Sequence, residues 1–327
     1  MRLMKIEKSI VPFLMAIVVL LAGSNTHTLL GHNFSPDEIA SFLALVNTIK
    51  AEAQLVQQNI ATNKMSLASE HANKALTLMT DDVNKEIAER NQRLSDDLNS
   101  GLASLKMSIE SASGNNTASD TDIDVLVDDI NGILDEIVTV RIDPDQLNNS
   151  TIKVMAAVEL LDGVLRSYGD AFAVGYDMTN ISMMTMNSDN SGGSNSDSDS
   201  NTGSNSGSDT SMHSMSTMNM GGSNVSENMS MEEMSNSDDK LVSMTEYQTA
   251  QALAMKVREL FDSQITNSSL SGSSDTVDQS INNVSTALKE LVTNIDEKAF
   301  PMDIMTIVHT KIHPNLMTAF GLQLENS

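Results

Sequence analysis

Ser35-Pro36-Asp37-Glu38 opens a run in which Ile39, Phe42, Leu43, Val46, Ile49, Ala53, Val56 and Ile60 recur every three or four residues. Ser at the N-cap, Pro at the first helical position and Glu at the third make a capping box with an N1 proline. The spacing puts the apolar residues on one face of a helix over about 36–62. An amphipathic helix of this length must bury its stripe against partners.

The chain beyond it supplies those partners. A second helix is expected over about 66–79. Its Leu67-Ala68-Ser69-Glu70-His71-Ala72 texture is similar to helix-hairpin units such as tetratricopeptide repeats, although the 34-residue repeat is not sustained. A third, about 81–111, carries Val83, Ile87, Leu94, Leu98, Leu102, Leu105 and Ile109, with Asn91 in an inward slot. Further helices are expected over about 121–140, 144–172, 241–266 and 275–295. A last one starts at Phe300-Pro301 and ends near His313-Pro314, or resumes to Leu324. No strand pattern competes. The expected fold class is all-α: a multi-helix bundle of about seven helices, built as one bundle or as two packed helical subdomains.

Between the fifth and sixth helices lies a different kind of sequence, about 177–239. Asn187 to Ser211 contains no apolar residue, so it cannot bury enough surface to offset its ordering entropy and is expected to be disordered. The expected organisation is therefore 1–24 as an export segment, 35–176 as the first part of the bundle, 177–239 as the insert, and 240–324 as helices that return to the bundle.

Composition narrows the function classes. The 327 residues carry a formal net charge of −25, with 3% aromatics and no Trp. Such a surface repels nucleic-acid phosphates and anionic headgroups, so no nucleic-acid partner is expected. With no cysteine, disulfides, thiolate metal sites and thiol catalysis are excluded. Arg2, Lys5 and Lys8 precede an apolar run of 14 residues, Ile10 to Gly23. That is the pattern of a signal peptide, or of a short signal anchor. Leu21-Ala22-Gly23-Ser24 has serine where a lipidated cysteine would stand. The expected location is extracytoplasmic, secreted or tethered, with membrane contact only through an uncleaved N-terminal segment. Asn-X-Ser/Thr acceptors such as Asn148, Asn149 and Asn283 are compatible with an exterior protein.

The chemistry concentrates in the insert. Eleven of the 23 methionines fall between Met178 and Met234. Met183, Met184 and Met186 precede the polar tract; Met212, Met215, Met218, Met220, Met229, Met231 and Met234 follow it, with His213 among them. Methionine ordinarily fills gaps in cores, and this segment has no core to fill. Spacings of M-x-x-M and M-x-M let a pliant chain gather two or three thioethers around one ion, and soft sulfur selects Cu(I). His213 adds a nitrogen that also tolerates Cu(II). The segment resembles the Met-rich copper-binding stretches of periplasmic copper-resistance proteins and copper oxidases. That resemblance implies copper capture, buffering or delivery outside the cytoplasm, to a copper-accepting envelope protein. Two other readings compete: a reversible thioether oxidant scavenger, and a plain spacer in a structural envelope protein.

Lesser metal candidates lie in the helices. Met302, Met305, His309 and His313 share one face at helical spacing, and His309 with His313 are four apart. Pro314 disfavours helical geometry at His313. His27 and His32 lie near the expected mature N-terminus, and His71 is expected as a partly buried helix residue. No phosphate loop, nucleophile elbow or zinc-protease motif occurs, so no enzymatic activity is expected.

Overall fold

The computed structural model describes residues 35–115, 120–180, 240–265 and 274–322. Among them every regular element is helical. The elements are α1 (Pro36–Ala61), α2 (Met65–Thr77), α3 (Asp81–Asn115), α4 (Asp120–Arg141), the single turn α5 (Pro144–Leu147) and α6 (Ser150–Ala171). After the insert come α7 (Met244–Leu260), continued by a π-helical turn Phe261–Ile265, and α8 (Asp275–Asp296). The last helix is composite: α9 (Pro301–Thr306), a π-helical turn Ile307–Ile312, and α10 (His313–Phe320).

The expected capping box is present. Glu38 N–H donates to Ser35 Oγ at 3.3 Å and Ser35 N–H donates to Glu38 Oε2 at 2.7 Å. Ser35→Ala should lower stability by about 1 kcal/mol, read as a shifted denaturant midpoint. An unchanged midpoint would show that the fold does not depend on this cap.

Two hydrophobic cores share α1. Ile39, Phe42, Val46, Ile49, Ala53, Val56 and Ile60 pack with Leu94, Leu98, Leu102, Leu105 and Ile109 of α3 and Ile123, Val127, Ile130 and Leu134 of α4. Ala44 and Ala51, on another face of α1, join a second core built by α6, α7, α8 and the composite helix. Long and apolar enough to cross a membrane, α1 has its apolar residues buried by protein on two sides. The insert does not separate the two cores. Ile152 at the start of α6 belongs to the first core, and Val154 onward to the second. The boundary therefore falls near the start of α6, and α6 before the insert packs closely on α7 after it. A methyl group on Gly163 would sit 3.0 Å from Leu253 Cδ1, so glycine sets how near these two helices come. Aromatic residues close the end of this core. Tyr168 donates to Ala299 O at 2.7 Å and Tyr247 to Ile295 O at 2.8 Å, and Phe172 packs against both rings.

Three local expectations need correcting. The 81–115 helix is interrupted at Asn91, whose φ of −157° and ψ of 98° are extended. Asn91 is thus a kink rather than an inward slot of one continuous helix. The 144–172 helix is divided by Asn149, whose side-chain oxygen accepts from Thr151 N–H at 2.9 Å and starts α6 afresh. His313 is helical (φ −55°, ψ −48°) despite Pro314. A proline deprives the preceding turn of one hydrogen bond and crowds its carbonyl. The wider π-helical turn directly before it is the local solution.

Candidate functional site

The principal sulfur candidates, Met183, Met184, Met186, Met212, His213, Met215, Met218, Met220, Met229, Met231 and Met234, lie outside the described residues, as do His27 and His32 and the 1–24 segment. So does the expected disorder of residues 181–239. The described chain runs up to Asn180 and resumes at Lys240, which places residues 177–180 inside the fold rather than in the insert.

Met178 shows what that means. Its side chain is 2% exposed and packs into the second core. Its sulfur would lie 3.2 Å from a methyl group on Gly169, so a glycine on α6 makes its seat. The α6 helix ends through Ala173, held in the left-handed region at φ 54°, and Val174 N–H closes on Gly169 O at 2.9 Å. The chain then turns at Asp177, whose carboxylate accepts from the Thr179 hydroxyl at 2.7 Å and the Thr179 N–H at 2.9 Å. Those two bonds, aided by Arg166 and His309, hold the Asp177 carboxyl below its ordinary range.

The root of the insert meets the composite helix here. His309 Nε2 lies 2.9 Å from Met178 O. A carbonyl only accepts, so Nε2 carries the proton and the lone pair of the neutral ring falls on Nδ1. His309 is buried, and the His313 ring stands edge-on to it with centroids 5.2 Å apart. His313 Nε2 is buried and has no hydrogen-bond partner among the described residues. Burial, and secondarily His309, push the His313 ring down to about 4, so it is neutral at physiological pH. Met305, four residues before His309, is fully buried. The expected Met302–Met305–His309–His313 face is thus partly retained, although the π-helical turn alters its register. On α6, Asp162 is pushed up to about 6 by burial, against the pull of Arg166 and with the push of Glu159 and Asp177.

A second polar centre escaped the sequence reading. His71 is wholly buried, not partly, and so are Glu52 and Asn59. His71 Nδ1 lies 2.6 Å from Glu52 Oε2, and Nε2 lies 2.9 Å from Gln248 Oε1. The proton positions follow from the network. Asn59 Nδ2 donates to Leu55 O at 2.8 Å, which orients that amide. Asn59 and Gln248 then pair reciprocally at 3.0 and 3.1 Å, leaving Gln248 Oε1 toward His71 as an acceptor. His71 Nε2 therefore donates, and one further proton lies between Nδ1 and Glu52. Thr249 donates to Glu52 Oε1 at 2.8 Å, and Lys74 reaches Glu246 at 2.6 Å. Thr245 donates to Glu70. The network joins α1 and α2 of the first core to α7 of the second. Its members lie up to 197 residues apart, so no spacing rule could have found them.

Among the described residues no group of three or more His, Cys, Asp or Glu side chains is arranged to hold a metal ion. The fold and these sites define an all-α protein with a buried polar clasp and a histidine pair at the root of a Met-rich insert. No protein-family model, curated protein or solved structure matches the chain.

Proposed function

We propose that this is a non-enzymatic, extracytoplasmic copper-binding protein that captures, buffers or delivers Cu(I) through the Met-rich segment. The observation that carries the reading is the clustering of thioethers in sequence that offers them no core: ten methionines lie from Met183 to Met234 among Ser, Asn, Asp and Gly. Met178, which begins the cluster in sequence, is a core residue, so the soft-ligand argument applies to the ten that follow it. Met212, Met215, Met218 and Met220 with His213 are the densest group. Two or three sulfurs around one Cu(I), exchanged one at a time, allow transfer to an accepting envelope protein without a deep site. Thioethers resist the oxidation that disables thiolates, which suits a cysteine-free exterior chain.

The test replaces those ten methionines with leucine in the full chain, which removes sulfur while keeping length and apolarity. Titrated with Cu(I) against a competing chelator, the wild-type chain should bind several equivalents and the variant should lose most of them. Equal stoichiometry in the two would refute the reading and return the segment to a tether.

A further inference from the structure

We infer that His309 and His313 form a second copper site, embedded in the fold at the root of the Met-rich segment, with the buried thioether of Met305 as its adjacent soft donor. The inference rests on the copper reading for the identity of the ion; the site itself rests on geometry. Three observations converge. Metal-ligating imidazoles characteristically donate their other N–H to a backbone carbonyl, which fixes the tautomer and aims the bare nitrogen. His309 has that arrangement: Nε2 donates to Met178 O, so Nδ1 is the nitrogen that bears the lone pair when the ring is neutral. The partner nitrogen is ready as well, since His313 Nε2 is buried without a hydrogen bond, a costly state for a polar atom unless something binds it.

The ring separation fits a shared ion. Two imidazole nitrogens at about 2.0–2.1 Å from one tetrahedral metal place their ring centroids roughly 5 Å apart, whereas a linear arrangement needs roughly 6 Å. The observed 5.2 Å falls at the separation of the bent geometry rather than the linear one. Met305 lies one turn before His309 and is fully buried. Two imidazoles and a thioether favour copper over the hard cations that an acidic surface attracts. The π-helical turn between Met305 and His313, set by Pro314, re-aims the side chains that follow. The position also suits the function. Met178, whose carbonyl orients His309, lies two residues before Asn180, the last described residue ahead of the insert, so copper gathered on the segment has a fixed site beside its anchor.

The experiment begins with the full chain in which the ten methionines are leucine. Loaded with Cu(I) without oxygen, it should retain about one equivalent, with nitrogen ligands in its X-ray absorption spectrum. Adding His309→Asn and His313→Asn should abolish that equivalent. No retained copper, or copper without nitrogen ligation, overturns this site and leaves the Met-rich reading standing. Undiminished copper in the leucine variant overturns the Met-rich reading and not this one. Core histidine replacements can disturb folding, so the unmutated wild-type chain provides a parallel readout. Cu(I) is diamagnetic, and its addition should move the nitrogen resonances of His309 Nδ1 and His313 Nε2 while leaving those of His71 in place. Unmoved His309 and His313 resonances overturn the site.

Discussion

His71→Leu should destabilise the fold by about 3–5 kcal/mol, the loss that follows when one member of a buried ion pair is removed. The size follows from what remains. Glu52 is wholly buried, and His71 is its nearest side-chain partner at 2.6 Å; the Lys74 ammonium stands farther, at 3.7 Å. Without His71, the carboxylate keeps the Thr249 hydroxyl, and Gln248 Oε1 loses one of its two donors. The clasp also spans both cores, so its loss weakens the contact of α7 with α1 and α2. The check is a denaturant midpoint at fixed pH for His71→Leu, Glu52→Leu and the double variant. The double replacement should cost clearly less than the sum of the singles, because it leaves no uncompensated charge. Strict additivity would show that the two side chains contribute independently, and the charge-pair account would fail.

Asp162→Asn should have the opposite sign. Burial raises the Asp162 carboxyl from 3.8 to about 6. Its charged form is therefore penalised in the folded chain and not in the unfolded one. The stability linked to its protonation is fully present below about pH 4 and is lost as pH rises through 6. Asparagine carries no charge at any pH, so the variant should exceed the wild type by about 1–3 kcal/mol at pH 8 and match it at pH 3.5. Melting temperatures of the pair at the two pH values provide the readout, with a gap of several degrees at pH 8 closing in acid. A pH-independent difference would show that Asp162 acts by packing or hydrogen bonding rather than by its charge. The residue lies close to Arg166, Glu159 and Asp177, so the same series reports on the electrostatics at the root of the insert.

The stripes of α1, α3 and α4 were legible because each depends on local geometry alone. Leu94, Leu98, Leu102, Leu105 and Ile109 recur at helical spacing, and all five are buried in one core. The caps at Ser35 and the start signal at Pro301 are equally local. Legibility stopped where a residue's role depends on another chain segment. Asn91 gave no breaker signal of its own, yet α3 bends there. His71 had the texture of an ordinary helix residue, because Glu52 and Gln248 enter its surroundings only once three helices pack. His309 and His313 were visible as a pair at i, i+4, but the carbonyl that sets the His309 tautomer belongs to Met178, 131 residues earlier.

By itself the sequence determined the helical class, the placement of the apolar faces and the segment in which methionines cluster among Ser, Asn, Asp and Gly. Those properties follow from a 3.6-residue repeat and from composition, both readable along the chain. The tertiary structure decided that α6 joins the helices after the insert, that Met178 belongs to the core, and that two buried polar centres exist. Each of these depends on which distant faces meet, and a buried polar group acquires its partners, charge and tautomer from that meeting rather than from its neighbours in sequence.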